Sequence, residues 1–298
     1  MSQMNAHNNK FKGVIFAAGY GTRFLPASKT VPKELFPLID VPAIDFTVKE
    51  FMDSGIEDIL IITSRRKKVL EDYLDHEMEL ESILNNERDE SKLRKITPLK
   101  ANFHFVRQRE MKGTADALRL CKSFCGNSPF VVAYPDDVIF GSTPCAKQLI
   151  EAYNKTGENI LTVRELPNQD VSRYGVIAFS EVKDKIYQVT QLVEKPPKGS
   201  EPSKVVSFGR YLYTPDIFKA IEDIDFSSLK EEVSQTEPLN ALAKQGKVAA
   251  LEFEGKLFDV GAPFGYLTTI IEYALTRTDL SAKFKEYLKK NFDRLTAP

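Results

Sequence analysis

The chain contains no tryptophan, three cysteines, three histidines and almost no excess charge, and each shortage excludes a class of protein. A formal net charge of −1 leaves no basic footprint for nucleic acid or an anionic membrane. No apolar run approaches the ~20 residues that a membrane-spanning helix needs. The histidines, His7, His76 and His104, are too scattered to predict a His/Cys metal site. The sequence therefore predicts a globular protein that acts on neither nucleic acid nor membranes.

The N-terminus and the cysteines bear on the cellular compartment. MSQMNAHNNK is polar and lacks the apolar segment of a signal peptide, so we interpret residues 1–10 as a disordered leader. Cys121 and Cys125 are one helical turn apart, and Cys145 stands alone. An odd number of cysteines in a chain without a secretion signal favours free thiols and a cytoplasmic location.

Short β-branched or aromatic runs alternate with amphipathic stretches through most of the chain. KGVIFAAG, DILIITS, ANFHFV and PFVVAYP predict buried strands. Four amphipathic stretches predict helices, and each ends in a glycine: Gly55, Gly126, Gly157 and Gly246. Strand–helix–strand repetition predicts right-handed crossovers and a mainly parallel sheet, with ligands at the carboxyl ends of the strands.

The middle of the chain has a different pattern. From about 159 to 214, strand-like runs follow one another with hardly a helix, which predicts an antiparallel insertion at one end of the sheet. Residues 76–100 are charged and poorly periodic, and we interpret them as a helix and a mobile loop. LSAKFKEYLKKNF predicts a terminal helix. Because no linker or repeat interrupts the pattern, we expect a single domain.

The stretch AAGYGTRFLPASKTVPKELFPL follows the first predicted strand. Gly19 and Gly21 permit a sharp turn that brings backbone N–H groups close to an anion. Arg23 and Lys33 could bracket a polyphosphate, while Pro26, Pro32 and Pro37 fix the path of this stretch without a helix. Phe24 stands where a dinucleotide site needs its third glycine, and the G-K-[ST] ending of a P-loop is absent. The simpler interpretation is a glycine turn among solvated charges.

The same stretch, with the pattern G-x-G-T-R-F-L-P-A-[ST]-K-x-x-P-K-E-L-x-P-L, resembles the nucleotide–sugar pyrophosphorylases. It is most similar to the bacterial UTP–glucose-1-phosphate uridylyltransferases. The resemblance extends from about Lys12 to Phe292 and includes VRQREMKGTADAL, YPDD, VSRYGVI, EKP, GRYLYTPDIF and FDVGAPFGYLTTIIEYAL. It implies a Rossmann-like three-layer α/β fold, the nucleotide-diphospho-sugar transferase fold. This has a mainly parallel central sheet, an antiparallel strand-rich sugar-binding insertion and a C-terminal helix.

The resemblance also implies a domain layout and a reaction. Within a single domain over 11–298, we expect a nucleotide-binding part at about 11–158, a sugar-binding part at about 159–262 and C-terminal helices at about 263–298. Glucose 1-phosphate would attack the α-phosphorus of UTP in line with assistance from Mg²⁺, giving UDP-glucose and pyrophosphate. Positioning and charge neutralisation suffice for such a transfer, without a covalent nucleophile. A homodimer or homotetramer is expected.

The site residues that the resemblance implies fall into four groups. They are Ala17, Ala18, Gly19, Gly21, Thr22, Glu34, Gln108 and Gly113 for the nucleotide; Tyr174, Gly175, Glu194, Lys195 and Arg210 for the sugar phosphate; Asp136 and Asp259 for the metal; and Arg23, Lys33, Lys195 and Asp136 for catalysis.

The residue types suit these roles. Carboxylates at the end of a strand suit a hard cation that is bound together with substrate phosphates. An exposed aspartate is more often a turn residue, and Asp137 fits that simpler role. The amide of Gln108 offers a donor and an acceptor to a pyrimidine edge. Glu194 can accept hydrogen bonds from sugar hydroxyls, and Lys195 can donate to a sugar phosphate.

Two departures from the family pattern leave other functions open. The uridylyltransferases usually have K-G-L-G-H-A where this chain has KGTADA, which is closer to thymidylyl- and adenylyltransferases. A transferase that uses dTTP or another nucleoside triphosphate is therefore the alternative. In place of Q-L-T-D the chain has VSQTEPLNALAKQ, with Glu237 and Pro238, although a proline is tolerated in the first turn of a helix.

Two rivals from other classes are weaker. A non-catalytic sugar-nucleotide sensor would be expected to lose its site cations or carboxylates first, and here all are present. A dinucleotide-dependent oxidoreductase would need the third glycine that is missing.

Overall fold

The structure is a computed structural model that describes residues 11–222, 224, 226 and 232–296; the expected leader, 1–10, lies outside these residues. The strands are β1 (Lys12–Phe16), β2 (Pro37–Leu38), β3 (Val41–Pro42), β4 (Asp58–Thr63), β5 (Asn102–Arg107), β6 (Phe130–Ala133), β7 (Asp137–Phe140), β8 (Asn159–Glu165), β9 (Gly175–Lys183), β10 (Ile186–Glu194), β11 (Val205–Tyr213), β12 (Val248–Glu252) and β13 (Lys256–Asp259). The helices are α1 (Ala43–Asp53), α2 (Val69–Leu74), α3 (Met78–Glu87), α4 (Glu90–Ile96), α5 (Thr114–Leu120), α6 (Lys122–Cys125), α7 (Cys145–Thr156), α8 (Asp216–Glu222), α9 (Thr236–Ala243), α10 (Pro263–Thr276) and α11 (Ser281–Thr296).

The N-terminal half builds the parallel part of the sheet. β1 lies between β4 and β6, β5 extends the sheet beyond β4, and all of these pairs are parallel. Successive residues of β1 face opposite sides, so Val14 packs into one hydrophobic core and Ile15 into another. The predicted strands and the three-layer arrangement are confirmed, with cores on both faces of the sheet.

The strand-rich middle continues the same sheet. The full order is β5-β4-β1-β6-β11-β8-β12-β10-β9, and β11 is antiparallel to both β6 and β8. β9 pairs with β10 along its length and also touches β11, through Val206 and Ser207. Because β9 pairs with both β10 and β11, this edge of the sheet curls over and encloses a space.

Most predicted helices are confirmed, together with their ends. Gly55, Gly126, Gly157 and Gly246 all have positive φ just beyond a helix. Pro238 lies in the first turn of α9 and does not interrupt it. The C-terminal region forms two helices, α10 and α11.

Two local expectations were wrong. The region 76–100 contains two helices, α3 and α4, where we expected one helix and a loop. The second helix begins at a cap, because the Asp89 carboxylate accepts a hydrogen bond from Lys92 N at 3.0 Å. The path between Arg23 and Lys33 is also not free of helix: it includes short 3₁₀ turns at Thr22–Phe24, Ala27–Lys29 and Lys33–Leu35.

Candidate active site

The glycine turn after β1 is folded back against Lys33. Gly21 has a φ of 68°, which starts the Thr22–Phe24 turn, and its carbonyl accepts a hydrogen bond from Ser28 Oγ at 2.7 Å. A Cβ added at Gly21 would lie 3.6 Å from both Cβ and Cδ of Lys33. The turn and the lysine, twelve residues apart, therefore form one surface at the carboxyl end of β1.

Lys33 pairs with the first of the two acids that follow β6. Its Nζ donates a hydrogen bond to Asp136 Oδ2, and both side chains are largely buried. Burial lowers the pKa of the Lys33 ammonium, but the nearby carboxylates of Asp136 and Glu34 outweigh it and raise the pKa above its ordinary value. For Asp136 burial raises the pKa, while the Lys33 charge brings it below the usual value. Both groups are therefore held in their charged forms.

Asp136, in the turn between β6 and β7, and Asp259, at the end of β13, face the same small space. A Cβ added at Gly261 would lie 2.9 Å from Asp259 Oδ1 and in contact with Asp136 Oδ2. Only glycine leaves this space open. Gly261 N also donates to Asp259 Oδ1 at 2.8 Å, and Arg23 Nη1 lies 3.6 Å from Asp259 Oδ2. Two carboxylates and the cations of Arg23 and Lys33 thus converge on one point.

Asp137 turns away from this point. Its Oδ2 accepts a hydrogen bond from Gly209 N at 2.9 Å, and the side chain lines the neighbouring cavity. Burial, together with the charge of Asp136, raises the pKa of the Asp137 carboxyl to about 7. The simple turn role that we considered for Asp137 does not describe this partly buried, cavity-facing carboxyl.

A cavity of about 550 Å³ lies beside the paired carboxylates, within the curled part of the sheet. Gly175 and Glu194 face each other across β9 and β10, and a Cβ added at Gly175 would lie 3.2 Å from Glu194 Oε2. The residues that line the cavity are Thr114, Tyr134, Asp137, Arg164, Leu166, Gln169, Arg173, Tyr174, Gly175, Leu192, Glu194, Ser207, Phe208, Gly209, Tyr211, Ser234, Gln235, Thr236, Leu257 and Asp259. Asp259 thus belongs to the carboxylate pair with Asp136 and also lines the cavity.

Lys195 follows β10 in an unusual backbone conformation. Its φ is 46°, in the left-handed region that non-glycine residues seldom occupy, and its N–H donates to Tyr174 O at 3.0 Å. The exposed ammonium lies 3.5 Å from Glu194 Oε1. Strained backbone of this kind is concentrated at functional positions. Lys195 is therefore fixed next to the cavity, although its side chain is not part of the lining.

Comparisons with known proteins identify the family of the chain. The model of the nucleotidyl transferase family matches residues 12–274. A UTP–glucose-1-phosphate uridylyltransferase of Staphylococcus epidermidis is 41% identical over 282 residues, which cover 94% of this chain and 97% of that protein. The chain belongs to this family of nucleotidyl transferases.

Solved structures give the same result for the fold. A UDP-glucose pyrophosphorylase complexed with UDP-glucose is 35% identical, with a TM-score of 0.77, covering 90% of this chain and 100% of that chain. A UTP-bound UGPase from Acinetobacter baumannii is 31% identical, with a TM-score of 0.85, covering 93% of this chain and 98% of that chain. Among the residues described for this nucleotidyl transferase, no helix is both long and apolar enough to cross a membrane.

Arg210 of this nucleotidyl transferase was expected to bind the sugar phosphate, and like Lys195 it does not line the cavity. Arg210 is fully buried beneath it, where its guanidinium donates to both carboxylate oxygens of Glu50, at distances of 3.0 to 3.3 Å. Its Nη1 donates to Tyr134 O at 3.0 Å. Glu50 also accepts from Ala146 N at 3.0 Å. The expectation that Arg210 binds the sugar phosphate is therefore wrong: the residue joins β11 to α1 and α7.

Glu34 also points inward. Its Oε1 accepts a hydrogen bond from Lys67 Nζ at 2.7 Å, and both side chains are buried. Burial lowers the pKa of Lys67. Glu34 thus attaches the segment that carries Lys33 to the turn that follows β4. Nothing in the local pattern distinguishes Lys67 from the three other basic residues of its RRKK run.

The residues expected to meet the base lie at the carboxyl end of β5. Gln108 is 5% exposed, and its N–H donates to Thr63 O at 2.9 Å. Gly113 has a φ of 89°, and a Cβ there would collide with the backbone of Val233. Gln108 Nε2 donates to Gly113 O at 3.0 Å. These contacts hold the loop between β5 and α5 in one conformation, together with the segment before α9.

Sequence reasoning missed two cations of the cavity, Arg164 and Arg173. Both line it, and the Arg164 guanidinium stacks 4.7 Å from the ring centroid of Phe253. Arg173 lies within the SRYG motif, so its position beside Tyr174 and Gly175 was an available signal. Arg164 is the sixth residue of β8 and carries no local mark of function.

Proposed function

We propose that this protein is a uridylyltransferase that forms UDP-glucose and pyrophosphate from UTP and glucose 1-phosphate. An oxygen of the sugar phosphate attacks the α-phosphorus of UTP. A new P–O bond forms as the bond to the β-phosphate oxygen breaks, and pyrophosphate leaves. The observation that carries the proposal is the convergence of Arg23, Lys33, Asp136 and Asp259 between the glycine turn and the large cavity.

The glycine turn and the two cations serve the triphosphate. Gly19 and Gly21 bring backbone N–H groups to the end of β1, together with Ala17, Ala18 and Thr22 of the same segment. Arg23 and Lys33 neutralise the charge that develops on the leaving pyrophosphate. Such preorganised charge accelerates the reaction because it requires no rearrangement when the bond breaks. Gln108 and the backbone at Gly113 meet the uracil.

The cavity serves the glucose 1-phosphate. Its volume of about 550 Å³ is in the range of small-ligand sites. Glu194 accepts hydrogen bonds from sugar hydroxyls, while Gly175 and Tyr174 lie against the ring. Lys195 holds the phosphate at the rim. Arg164 and Arg173 add positive charge to the same space, in place of the buried Arg210.

The family implies a divalent metal, and the carboxylate pair fits one. Asp136 and Asp259 offer hard oxygen ligands around a space that a side chain at Gly261 would fill. Among the described residues, there is no group of three or more Asp, Glu, His or Cys side chains that could hold a metal ion. Two carboxylates completed by substrate phosphates are typical of Mg²⁺. When bound there, Mg²⁺ would supply positive charge that neutralises substrate phosphate, next to the cations of Lys33 and Arg23.

We also propose a homo-oligomer in the cytoplasm. Apolar side chains lie on one face of α10, where Phe264 is 78% exposed, Leu267 55% and Ile271 38%. A patch of this kind is typical of an interface. Three free, buried thiols, at Cys121, Cys125 and Cys145, support a reducing compartment. Light scattering during gel filtration tests the oligomeric state, and a monomer at micromolar concentration would contradict it.

The proposal is tested by pyrophosphate release from a panel of nucleoside triphosphates crossed with sugar 1-phosphates, in the presence of Mg²⁺. We expect UTP with glucose 1-phosphate to be the fastest pair. If dTTP is faster than UTP at equal concentration, the thymidylyltransferase alternative replaces the proposal. Release with no pair would favour the sugar-nucleotide sensor.

A further inference from the structure

The segment 112–117 departs from the uridylyltransferase pattern, and the reaction proposed above makes no use of its acidic residue. Asp116 lies in the first turn of α5 and is 4% exposed. Its Oδ2 accepts a hydrogen bond from Gln108 Nε2 at 3.0 Å. Its Oδ1 accepts from Arg119, from Nε at 3.1 Å and from Nη2 at 2.7 Å. The buried carboxylate is therefore fixed between an amide and a guanidinium.

These neighbours determine which way the Gln108 amide faces. One partner of Nε2 is the Gly113 carbonyl and the other is the Asp116 carboxylate, each at 3.0 Å. Neither partner can donate a hydrogen bond, so both must face the NH₂ group. Its two hydrogens are then used within the protein. The oxygen, Oε1, is the part of the amide that remains for a ligand.

We propose that Asp116 is a positioning residue that sets the base preference by holding Gln108 with its oxygen toward the nucleotide. The inference rests on the proposed function, in which Gln108 meets the base. Uracil has a donor at N3–H, which complements the amide oxygen. Cytosine has an unprotonated N3 at the same place, so two acceptors would oppose each other. Thymine shares the N3–H of uracil, and Asp116 therefore excludes CTP without distinguishing UTP from dTTP.

The test is the ratio of kcat/KM for UTP to kcat/KM for CTP in the variant D116N. In this variant Arg119 still donates its hydrogen bonds to the side-chain oxygen at position 116. The new NH₂ group at that position therefore faces the NH₂ group of Gln108. We expect the ratio to fall about tenfold or more, because one hydrogen bond is worth about that factor in a binding equilibrium. In D116N/R119Q the new oxygen is free to turn toward Gln108, and most of the ratio should return.

Matched controls separate this role from a structural one. R107Q removes a surface arginine next to Gln108, whose partner is Glu71 at 3.5 Å, and should leave the ratio unchanged. D116A withdraws the acceptor without adding a donor and should lower the ratio to a smaller extent. It also provides the measurement if D116N does not fold, as judged by thermal melting.

Equal losses with UTP and CTP in the folded variants would overturn the inference, because Asp116 would then be only structural. If the wild-type protein uses neither UTP nor dTTP, the proposed function fails instead. If it uses UTP and the ratio in D116N and D116A equals that of the wild type, the inference fails and the proposed function survives.

Discussion

Replacing Lys33 by alanine tests the link between the glycine turn and the departing pyrophosphate. The ammonium is preorganised, since it packs against Gly21 and is held by Asp136. Loss of one preorganised charge at a developing anion costs roughly 10²–10³ in kcat. We expect Lys33→Ala to lower kcat by about that factor. The KM for glucose 1-phosphate should change little, because Lys33 is not among the residues that line the sugar cavity.

The same substitution leaves Asp136 without its partner, and this has its own measurable cost. The two side chains retain 16% and 17% exposure, so the cost should be about 1–3 kcal/mol, below that of breaking a fully buried pair. For a chain of this size each kcal/mol lowers Tm by about 2–4 °C. Calorimetry and circular dichroism at the assay temperature therefore establish that the loss of kcat is measured on folded protein.

Lys195→Ala gives the contrasting result. Because Lys195 lies beside the cavity, its removal should raise the KM for glucose 1-phosphate strongly and also slow turnover. Lys198→Ala is the matched control, since this lysine of the same loop is 81% exposed. Steady-state kinetics with each substrate varied in turn measures both effects. A folded, fully active Lys33→Ala enzyme would refute the reasoning, as would the reverse division of the kcat and KM effects.

Three further predictions follow from particular contacts. Asp136→Asn should abolish most turnover across a Mg²⁺ titration, whereas Asp137→Asn, which alters a cavity wall, should be milder; equal losses would contradict the assignment of the metal ligand to Asp136. Arg210→Met leaves Glu50 buried without its partner and should cost about 3–5 kcal/mol in urea unfolding. A weaker affinity for sugar phosphate at unchanged stability would instead restore the sequence prediction. Gly113→Ala should cost about 1–3 kcal/mol and raise the KM for UTP, because of its positive φ and the collision with Val233; wild-type KM and Tm would rule out that constraint.

The order of elements was readable from the sequence because it depends on local properties. Buried strands need continuous β-branched runs, and helices need an apolar stripe and an end. The glycines at 157 and 246 mark such ends and are found where expected. The second helix of 76–100 was missed because its apolar face is weak. Its capping residue, Asp89, was the available signal.

The identity of candidate site residues was readable only where a motif is continuous. The G-Y-G-T-R and P-K-E-L pieces lie within one stretch, and the structure brings Gly21 and Lys33 into contact. The separate cations of the cavity, Arg164 and Arg173, come from different segments. Neither spacing nor periodicity relates such segments, so the curl of β9 against β11 was needed to bring them together.

The sequence by itself determined the order of strands and helices, the glycine turn and the chemical types of the side chains that could hold phosphate and metal. Tertiary structure alone decided which of those side chains are available. Arg23 and Arg210 are the same residue type in equally distinctive motifs. Arg210 is withdrawn from the site because Glu50, 160 residues away in the chain, lies opposite it in the core. A buried guanidinium must be paired, and the position of its partner is a property of the fold and not of the neighbouring sequence.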